Sequence, residues 1–589
     1  MQDPLQFYKT RKQHFEQEFS ALKKKLARSS TIRLLVFIGT VFSIYFFFGE
    51  IKIVIPIAAT GFFLFLYLII KHTNLQHKRG LKKALIKINK TEINVLNGDY
   101  FSLDDGKAFI DPTHSYSNDI DLFGKGSFFQ YCNRTVTQEG ASKLVKVLIE
   151  NDISNINAKQ ESIKELSNMP KWRQQFSAIA SLVKVQYSAR IIVDWIHNYK
   201  VVFPQYLLFL PLVFSVISFL LIILSSFQFI SSQILLVWFF VGLGVSGFYL
   251  KKVNKLYVDA SKAKDTFKQY HKLLNEIETT EFKSQVLIEK QKAIQTESKK
   301  ASLIFGEFSK ILDALDQRNN EIMAIVLNGF FLWDLHQVHK IEHWIKNYKG
   351  KIENWFEVIA FFDAQSSLAN FSFNHPNYTY PNIKNSKQVI KAHDLGHPLL
   401  KKQQRIDNDF AIDNKQFYII TGANMAGKST FLRTISLSIV MANIGLPVCA
   451  KKFEYSPIKL ITSMRTSDSL ADDESYFYSE LKRLKFIVET IKDDEYFIVL
   501  DEILKGTNST DKAIGSKKFI KKLVDSGSTG IIATHDLSLC EIEKELKQVN
   551  NFYFDAEIKN NDLHFDFKLK KGICKNMNAS FLLKKMEIV

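Results

Sequence analysis

A glycine-rich segment in the C-terminal third of the chain has the residue types and spacing of a phosphate-binding loop. Gln416 to Ile420 forms a β-rich apolar run, residues 422–429 read GANMAGKS, and a helical pattern follows. Glycines allow successive backbone N–H groups to turn towards an anion, and the start of the helix contributes its positive end. This order of strand, loop and helix favours a site for the phosphates of a nucleotide over an ordinary glycine turn.

The side chains of this loop have separate expected roles. Lys428 is expected to contact the β- and γ-phosphates, and the hydroxyl of Ser429 is expected to ligate Mg²⁺. ATP and Mg²⁺ are therefore the predicted ligands. The predicted nucleotide-binding residues are Gly422, Ala423, Asn424, Met425, Ala426, Gly427, Lys428, Ser429 and Thr430.

Two further apolar runs end in the polar residues that this loop requires. FIVLDE ends at Asp501 and Glu502, and GIIATHD reaches His535. Asp501 is expected to hold Mg²⁺ directly or through water, and Glu502 to orient or deprotonate the attacking water. We expect Lys428, Glu502 and His535 to be catalytic, and the strand ending at Asp501 to neighbour the strand before the loop. The alternatives are an ordinary acidic strand end and a structural histidine.

Long uncharged stretches indicate membrane-spanning helices elsewhere in the chain. No charged residue occurs at 34–49, 53–70 or 201–250, and 46% of all residues are hydrophobic. A span needs about 20 apolar residues, so we expect four spans arranged as two hairpins. The expected turns are Gly49–Lys52 and Ser225–Gln233. The alternative is that these stretches form buried core helices.

The charges and cysteines indicate the compartment. The net charge is +18, and Lys and Arg flank both hairpins. Because positive segments remain in the cytoplasm, we expect an integral membrane protein with both termini and the bulk of the chain on that side. The N-terminus lacks the apolar run of a cleavable signal peptide, and the four cysteines form no CxxC pair, as in a reducing compartment. The positive charge also fits a nucleic-acid partner.

The motifs resemble those of the MutS family, a family of DNA mismatch repair ATPases. Residues 421–430 (TGANMAGKST) are similar to its phosphate loop, Ser475 to Glu480 to its S-T-F-x-x-E stretch, and 500–507 to its LDE-x-x-x-GT stretch. Asp119 to Gly124 (DIDLFG) resembles the start of the core and lever domain of that family. The resemblance covers about 110–200 and 340–589.

The resemblance implies how the site is completed. In this family two ATPase domains pair, so a homodimer is implied in which Ser475 reaches the γ-phosphate of its partner in trans. DNA, mismatched or structured, is an implied partner. The first hundred residues do not match the mismatch-recognition and connector domains, so we expect a membrane-anchored member without them. Ala423 and Tyr476 replace a proline and a threonine of the family motifs, and Asn508 shifts the pattern after LDE.

Together these patterns predict a multi-domain fold. It combines transmembrane helical hairpins, an all-α core and lever domain, and a C-terminal α/β, ABC-like ATPase domain with a phosphate loop. The expected parts are a basic N-terminal helix with the first hairpin at 1–97, a MutS core-like helical domain at 98–200, the second hairpin at 201–250, long lever helices at 251–381, and the ATPase domain at 382–589.

Two functions are compatible with the sequence. The first is a membrane-anchored ATPase that binds mismatched or structured DNA and switches its dimer state with ATP. The second keeps the ATPase and couples hydrolysis mechanically to the membrane helices or to a protein partner, without DNA. Transport of a small molecule is not expected, because the spans carry almost no polar groups that could line a pathway.

Overall fold

The computed structural model describes residues 3–559 and 562–574, apart from positions 184, 186, 202, 204–208, 296–298, 466–475 and 506. Helices dominate as far as Asn374, and two sheets with intervening helices follow. The predicted multi-domain organisation, largely helical with an α/β part at the C-terminal end, is therefore confirmed.

The helices that precede the first strand range in length from five residues to 47. They are α1 Pro4–Phe46, α2 Ile51–Leu96, α3 Phe128–Cys132, α4 Gln138–Ile149, α5 Ile156–Ser167, α6 Pro170–Ser181, α7 Ala189–Asn198, α8 Leu210–Ser226, α9 Ser232–Glu278, α10 Gln285–Lys292, α11 Ala301–Leu315, α12 Glu321–Phe331, α13 Trp333–Tyr348 and α14 Ile352–Asn374.

The C-terminal part alternates strands and helices, which produces a mainly parallel sheet. Its strands are β1 Asn382–Ile383, β2 Gln388–Leu395, β3 Asn408–Asp413, β4 Phe417–Gly422, β5 Lys452–Tyr455, β6 Lys459–Ser463, β7 Tyr496–Asp501, β8 Thr529–Ala533, β9 Val549–Lys559 and β10 Asp562–Lys571. Its helices are α15 Lys428–Asn443, α16 Tyr476–Thr490, α17 Ser509–Asp525 and α18 Ile542–Glu545.

The larger sheet brings the ends of several strands to one edge. Its order is β10-β9-β4-β8-β7-β6, and the smaller sheet has the order β1-β5-β2-β3. Strands β9, β4, β8, β7 and β6 run parallel, and β10 is antiparallel to β9. Because the carboxyl ends of parallel strands meet at the same edge, the residues after β4, β7 and β8 are neighbours in space.

Among the described residues, three helices are long and apolar enough to cross a membrane. They are α1, α2 and α9, with mean hydropathies of 1.5, 2.6 and 1.8 over their most apolar windows. None of the window residues of α1 and α2 is buried inside the chain, so these surfaces need another covering. The fourth predicted span falls on α8, which has 17 residues and is shorter than a full span.

The N-terminal end of α1 and the C-terminal end of α2 are hydrogen-bonded to the C-terminal end of α14. The hydroxyl of Tyr8 donates to Oδ1 of Asn374 over 2.8 Å, and Nδ2 of Asn374 donates to Oε2 of Glu92 over 2.8 Å. Arg134 pairs with the other oxygen of Glu92 at 2.5 Å. A displacement of α14 would therefore be transmitted directly to α1 and α2.

An aromatic cluster and one buried carboxylate hold the middle of the molecule together. Phe267 of α9 packs edge-on against Phe305 of α11 and Trp344 of α13, with ring centroids 4.8 and 5.4 Å apart. Asp363 of α14 accepts from the amide and hydroxyl of Thr137 over 2.8 and 2.7 Å, and Thr137 is the residue that caps α4. Burial raises the pKa of Asp363 to about 6. We refer to α9, α11, α13 and α14 as the lever helices.

Candidate functional site

The loop between β4 and α15 is shaped around a buried lysine. Met425 and Gly427 have left-handed backbone angles, with φ of 66° and 98°, which fold the loop back on itself before the helix begins. Nζ of Lys428 donates to the carbonyls of Gly422 and Ala423 over 2.9 and 3.1 Å. Burial lowers the pKa of Lys428, while the charges of nearby carboxylates act in the opposite direction.

The amides of this loop are mostly available to an external acceptor. The internal backbone hydrogen bond of the described loop is a long one, from the amide of Ala426 to the carbonyl of Ala423 at 3.4 Å. Asn424 through Thr430 line a cavity, and Gly422 and Ala423 contribute through their carbonyl contacts with Lys428. The predicted nucleotide-binding residues therefore lie together around one cavity.

Ser429 and Asp501 are in contact. The Ser429 hydroxyl donates to Oδ2 of Asp501 over 2.7 Å. Burial raises the pKa of Asp501, and this hydrogen bond lowers it. The expectation that their strands are neighbours is wrong, because β8 lies between β4 and β7. The two groups still meet because the loop after β4 turns across the end of β8, and β8 itself delivers His535 to the same place.

Glu502, His535 and Lys428 form a contiguous polar group. Nε2 of His535 lies 2.8 Å from Oε1 of Glu502 and 3.1 Å from Nζ of Lys428. Lys505 stands 3.6 Å from the other oxygen of Glu502. The hydrogen bond with His535 lowers the pKa of Glu502 to about 2, against the opposing effect of burial. Glu502 is therefore ionised throughout the physiological pH range.

The backbone at Glu502 is in an uncommon conformation. Its φ is 49°, in the left-handed region that side chains other than glycine seldom occupy, and Leu504 follows with a φ of 60°. The amide of Glu502 donates to the carbonyl of Ala533 over 2.9 Å, which ties the turn to the end of β8. Such positions persist where the surrounding structure fixes them, and they concentrate at functional sites.

Glu480 supports the turn after Glu502, a contact that its place in the S-T-F-x-x-E-like stretch did not predict. Glu480 of α16 is buried and accepts from the amides of Leu504 and Lys505 over 2.5 and 3.0 Å. The burial that raises its pKa is partly offset by these two amides. The spacing of Glu480 in its motif is visible in the sequence, but its contact with 504–505 is a long-range one.

A second residue that sequence reasoning missed is Phe567, on the hairpin of β9 and β10. The cavity has a volume of about 360 Å³, and Phe567 forms one wall of it beside Gly427. A shift in the strand register between Phe565 and Leu569 turns Phe567 out of the ladder, with a φ of 50°. Asn408 holds this bulge through hydrogen bonds of 3.0 and 2.8 Å to the carbonyl of Phe567 and the amide of Leu569.

The segment DIDLFG links the helical part to the site. Asp119 is buried and accepts from the amides of Met464 and Arg465 over 3.0 and 2.9 Å. Asp121 pairs with Arg433 of α15 at 3.0 Å and with Arg465 at 2.6 Å. Helix α15, which begins at Lys428, is therefore attached directly to the segment before α3 that contains Asp119 and Asp121. Ser475, predicted to act in trans, lies outside the described residues.

The α/β part of the chain matches a known protein family. The family model described as MutS domain V matches residues 418–585. The DNA mismatch repair protein MutS of Thermotoga maritima is 32% identical over 234 residues, 39% of this chain and 29% of that protein. Proteins of the same name from Methanococcoides burtonii and Finegoldia magna are 30% and 31% identical, over 39% and 45% of this chain and 26% and 30% of their own.

The extent of this similarity limits what it identifies. The chain spans 29% of the length of the Thermotoga maritima relative, so the comparison concerns one part of each protein. That part contains every residue predicted for the site, from Gly422 to His535. The C-terminal part of this chain, residues 418–585, is thus similar to MutS domain V.

Proposed function

We propose that the cavity binds ATP with Mg²⁺ and that the protein hydrolyses ATP to ADP and phosphate. The observation that carries the proposal is that Lys428, Ser429, Glu502 and His535 line one cavity, with Asp501 hydrogen-bonded to Ser429. These residues come from the loop after β4 and from the ends of β7 and β8, and each has the chemical type that phosphoryl transfer to water requires. A volume of about 360 Å³ is within the range of ligand pockets.

The donor set suits a hard divalent cation. Ser429 and Asp501 present oxygen atoms 2.7 Å apart, and Mg²⁺ prefers oxygen ligands. Among the described residues no group of three His, Cys, Asp or Glu side chains forms a complete metal cage. Mg²⁺ is commonly held by one or two protein oxygens together with phosphates and water, and Ser429 and Asp501 supply two such oxygens. When bound, the ion would neutralise charge on the phosphates.

The remaining residues would act on the γ-phosphate and the attacking water. Lys428 would exchange its two carbonyl partners for phosphate oxygens, which carry a full charge and bind an ammonium more strongly. Glu502 is ionised and aimed into the cavity by its left-handed turn, so it can orient the water and accept its proton. His535, already in contact with both side chains, would fix their relative positions.

Phe567 supplies a surface for the base of the nucleotide. Its ring lies beside the loop, and 39% of its surface is exposed. An aromatic ring next to a phosphate site can stack on a purine and contributes beyond the area it covers. The bulge held by Asn408 is what presents the ring, so this part of the site depends on the β9–β10 hairpin rather than on the loop.

A first experiment tests the nucleotide site itself. In the purified full-length protein, Lys428→Ala removes the ammonium from the phosphates, and we expect both ATP binding and turnover to be lost. Lys492→Ala is a matched control, because Lys492 is exposed near the start of β7, at the opposite end of that strand from Asp501. Wild-type turnover in Lys428→Ala would contradict the proposal.

We further propose that the apolar helices anchor the protein in a membrane. The support is that α1, α2 and α9 have the length and composition of spans, and that their apolar windows are almost entirely unburied. The basic residues flanking them favour a cytoplasmic location for both termini and the ATPase part. The anchored protein should remain in the membrane pellet after alkaline carbonate extraction. Release into the supernatant would contradict anchoring.

Dimerisation and DNA binding are proposed from the relatives. The relatives carry the name of DNA mismatch repair proteins, and the net charge of +18 favours a polyanionic partner. In this proposal two ATPase parts pair, Ser475 completes the partner site, and ATP switches the dimer on mismatched or structured DNA. Binding should weaken linearly in log affinity with log salt. Absence of DNA binding at low salt would remove this role.

The second candidate is a mechanical ATPase without DNA. It is favoured by two links between the lever helices and the apolar segments. Helix α14 contacts α1 and α2, and α9 is itself a lever helix that is continuous with an apolar segment. The two candidates differ in what stimulates ATP turnover. Duplex, mismatched or branched DNA should do so for the first candidate, and lipid vesicles or a membrane protein alone for the second.

A further inference from the structure

Helix α12 is an apolar segment at the end of the lever helices. Residues 322–333 carry no charge, although sequence reasoning assigned them to the lever at 251–381. We infer that α12 enters the membrane from the cytoplasmic side as a partial span, so that the tip of the lever contacts lipid acyl chains. This inference rests on the proposed membrane anchoring and goes beyond it, because α12 belongs to none of the four predicted spans.

The position of α12 follows from its register along α9. Ser302, at the start of α11, donates its amide to Glu278 over 3.0 Å, near the C-terminal end of α9. Nδ2 of Asn319 donates to the hydroxyl of Tyr257 over 2.7 Å, further towards the N-terminus of α9. Gly329 then lies against Gly242. The chain from 302 to 329 therefore climbs along α9 towards its apolar end.

This register places α12 within the apolar part of α9. Lys251 and Lys252 mark the charged boundary of α9, and Gly242 precedes Lys251 by nine positions. At 1.5 Å per residue, Gly329 is therefore about 13 Å beyond that boundary. The hydrocarbon layer is about 30 Å thick, so α12 would reach nearly to its middle.

The contact between α12 and α9 has the character of a helix pair in a membrane. A Cβ added at Gly242 would overlap the carbonyl oxygen of Gly329, and one added at Gly329 would overlap the ring of Phe239. Phe239 also packs against Phe330, with ring centroids 5.1 Å apart. Small residues that allow backbones to approach this closely are the usual means of helix association in lipid.

The polar side chain within the uncharged stretch of α12 has a partner. This side chain, the buried Asn328, uses Oδ1 to accept the amide of Asp334 over 3.0 Å. Below it, Arg318 lies 3.6 Å from Asp334 and donates to Asn254 over 2.5 Å. The buried Asp334 thus lies beside a cation, and Arg318 contacts α9 at Asn254, on the charged side of Lys251.

The outer face of α12 lies beside other exposed apolar side chains. Ile322 is 78% exposed, Ile325 50% and Val326 42%. On α9, Leu236 and Val241 flank the Gly242 contact and are 61% and 46% exposed. Because the contact of Gly329 with Gly242 places α12 against the apolar half of α9, the layer that covers that half of α9 also covers α12. Acyl chains are the occupant that suits all of them.

Lipid-quenching fluorescence on the full-length protein in phosphatidylcholine and phosphatidylglycerol vesicles tests this inference. The four native cysteines are buried, so a cysteine introduced at Ile325 can be labelled selectively with an environment-sensitive dye. Leu236→Cys reports the proposed anchoring through α9. Val258→Cys, also exposed but on the charged side of Lys251, is the matched control. We expect nitroxide-labelled acyl chains to quench the dyes at Ile325 and Leu236, and not at Val258.

The outcomes separate the inference from the anchoring. Quenching at Leu236 without quenching at Ile325 overturns the inference and leaves the anchoring intact. Self-quenching between labelled copies at Ile325, without lipid quenching, overturns it in favour of a second copy as occupant. Quenching at neither position overturns both. Val326→Cys is a second reporter on the same face, for the case in which the Ile325 variant does not fold.

Discussion

Replacing Glu502 with glutamine isolates the proton-accepting role of this side chain. The variant side chain has the same size, and the backbone remains held by the 2.9 Å hydrogen bond from its amide to Ala533. A glutamine can still hydrogen-bond His535, which is now 2.8 Å from Oε1. ATP contacts made by the loop and Lys428 are left in place. The substitution therefore removes a charge and a base while preserving the geometry.

The expected loss follows from the pKa of Glu502. A general base typically accelerates a reaction by about 10² to 10⁴, which corresponds to about 3–5 kcal/mol of activation free energy. The pKa of Glu502 is about 2, so the carboxylate is fully ionised at pH 7 but accepts a proton weakly. We therefore expect the lower end of that range, a decrease in kcat of about 10².

Single-turnover hydrolysis and equilibrium ATP binding should be measured on the same preparations. The affinity for ATP should change by less than about threefold, since the lost interaction is made in the transition state. Glu495→Gln is the control, because Glu495 lies just before β7 at the opposite end of the strand. An unchanged kcat in Glu502→Gln, or equal losses in affinity and kcat, would refute the assigned role.

Three other perturbations test the remaining parts of the site. His535→Ala removes the hydrogen bond that is the main cause of the low pKa of Glu502. In the wild type the ionised form of Glu502 is lost only as the pH falls towards about 2, whereas in the variant its pKa should rise towards the ordinary 4.5. The acid limb of the rate profile should therefore move to higher pH. An unmoved limb would contradict this pairing. Phe567→Ala should weaken ATP binding by about 5- to 10-fold without lowering kcat, as measured by titration, with Phe567→Tyr as control. Asp119→Asn leaves two buried amides poorly paired and should lower the free energy of unfolding of the α/β part by about 2 kcal/mol in denaturant titration, whereas the exposed Asp99→Asn should change it little. Equal effects of these two would argue against the link.

Local patterns were sufficient to bring most of the candidate site together. The loop from Gly422 to Ser429 has a strand before it and a helix after it, and the runs 497–500 and 530–533 are fully apolar. Each run can be recognised alone, because a parallel strand buried on both faces has a continuous apolar sequence. Their shared edge then follows from the parallel arrangement.

The remaining features depend on contacts between distant segments. The strand order could not be obtained from the sequence, because an interposed β8 leaves the composition of β4 and β7 unchanged. Phe567 faces the cavity only because of a register shift in the β9–β10 hairpin, and Glu480 acquires its role from a turn 24 positions away. Helix α12 was missed because its apolar run is half the length of a span, which periodicity alone cannot distinguish from a buried core helix.

The continuity of α9 has a mechanical consequence. This helix runs for 47 residues without a proline, from Ser232 to Glu278, so it is about 70 Å long. A stiff rod of that length converts a tilt of about 5° at one end into a sideways displacement of about 6 Å at the other. A small tilt of α9 near Glu278 would thus displace the end at Ser232 by a distance on the scale of a lipid headgroup. No loop within the helix could absorb that displacement.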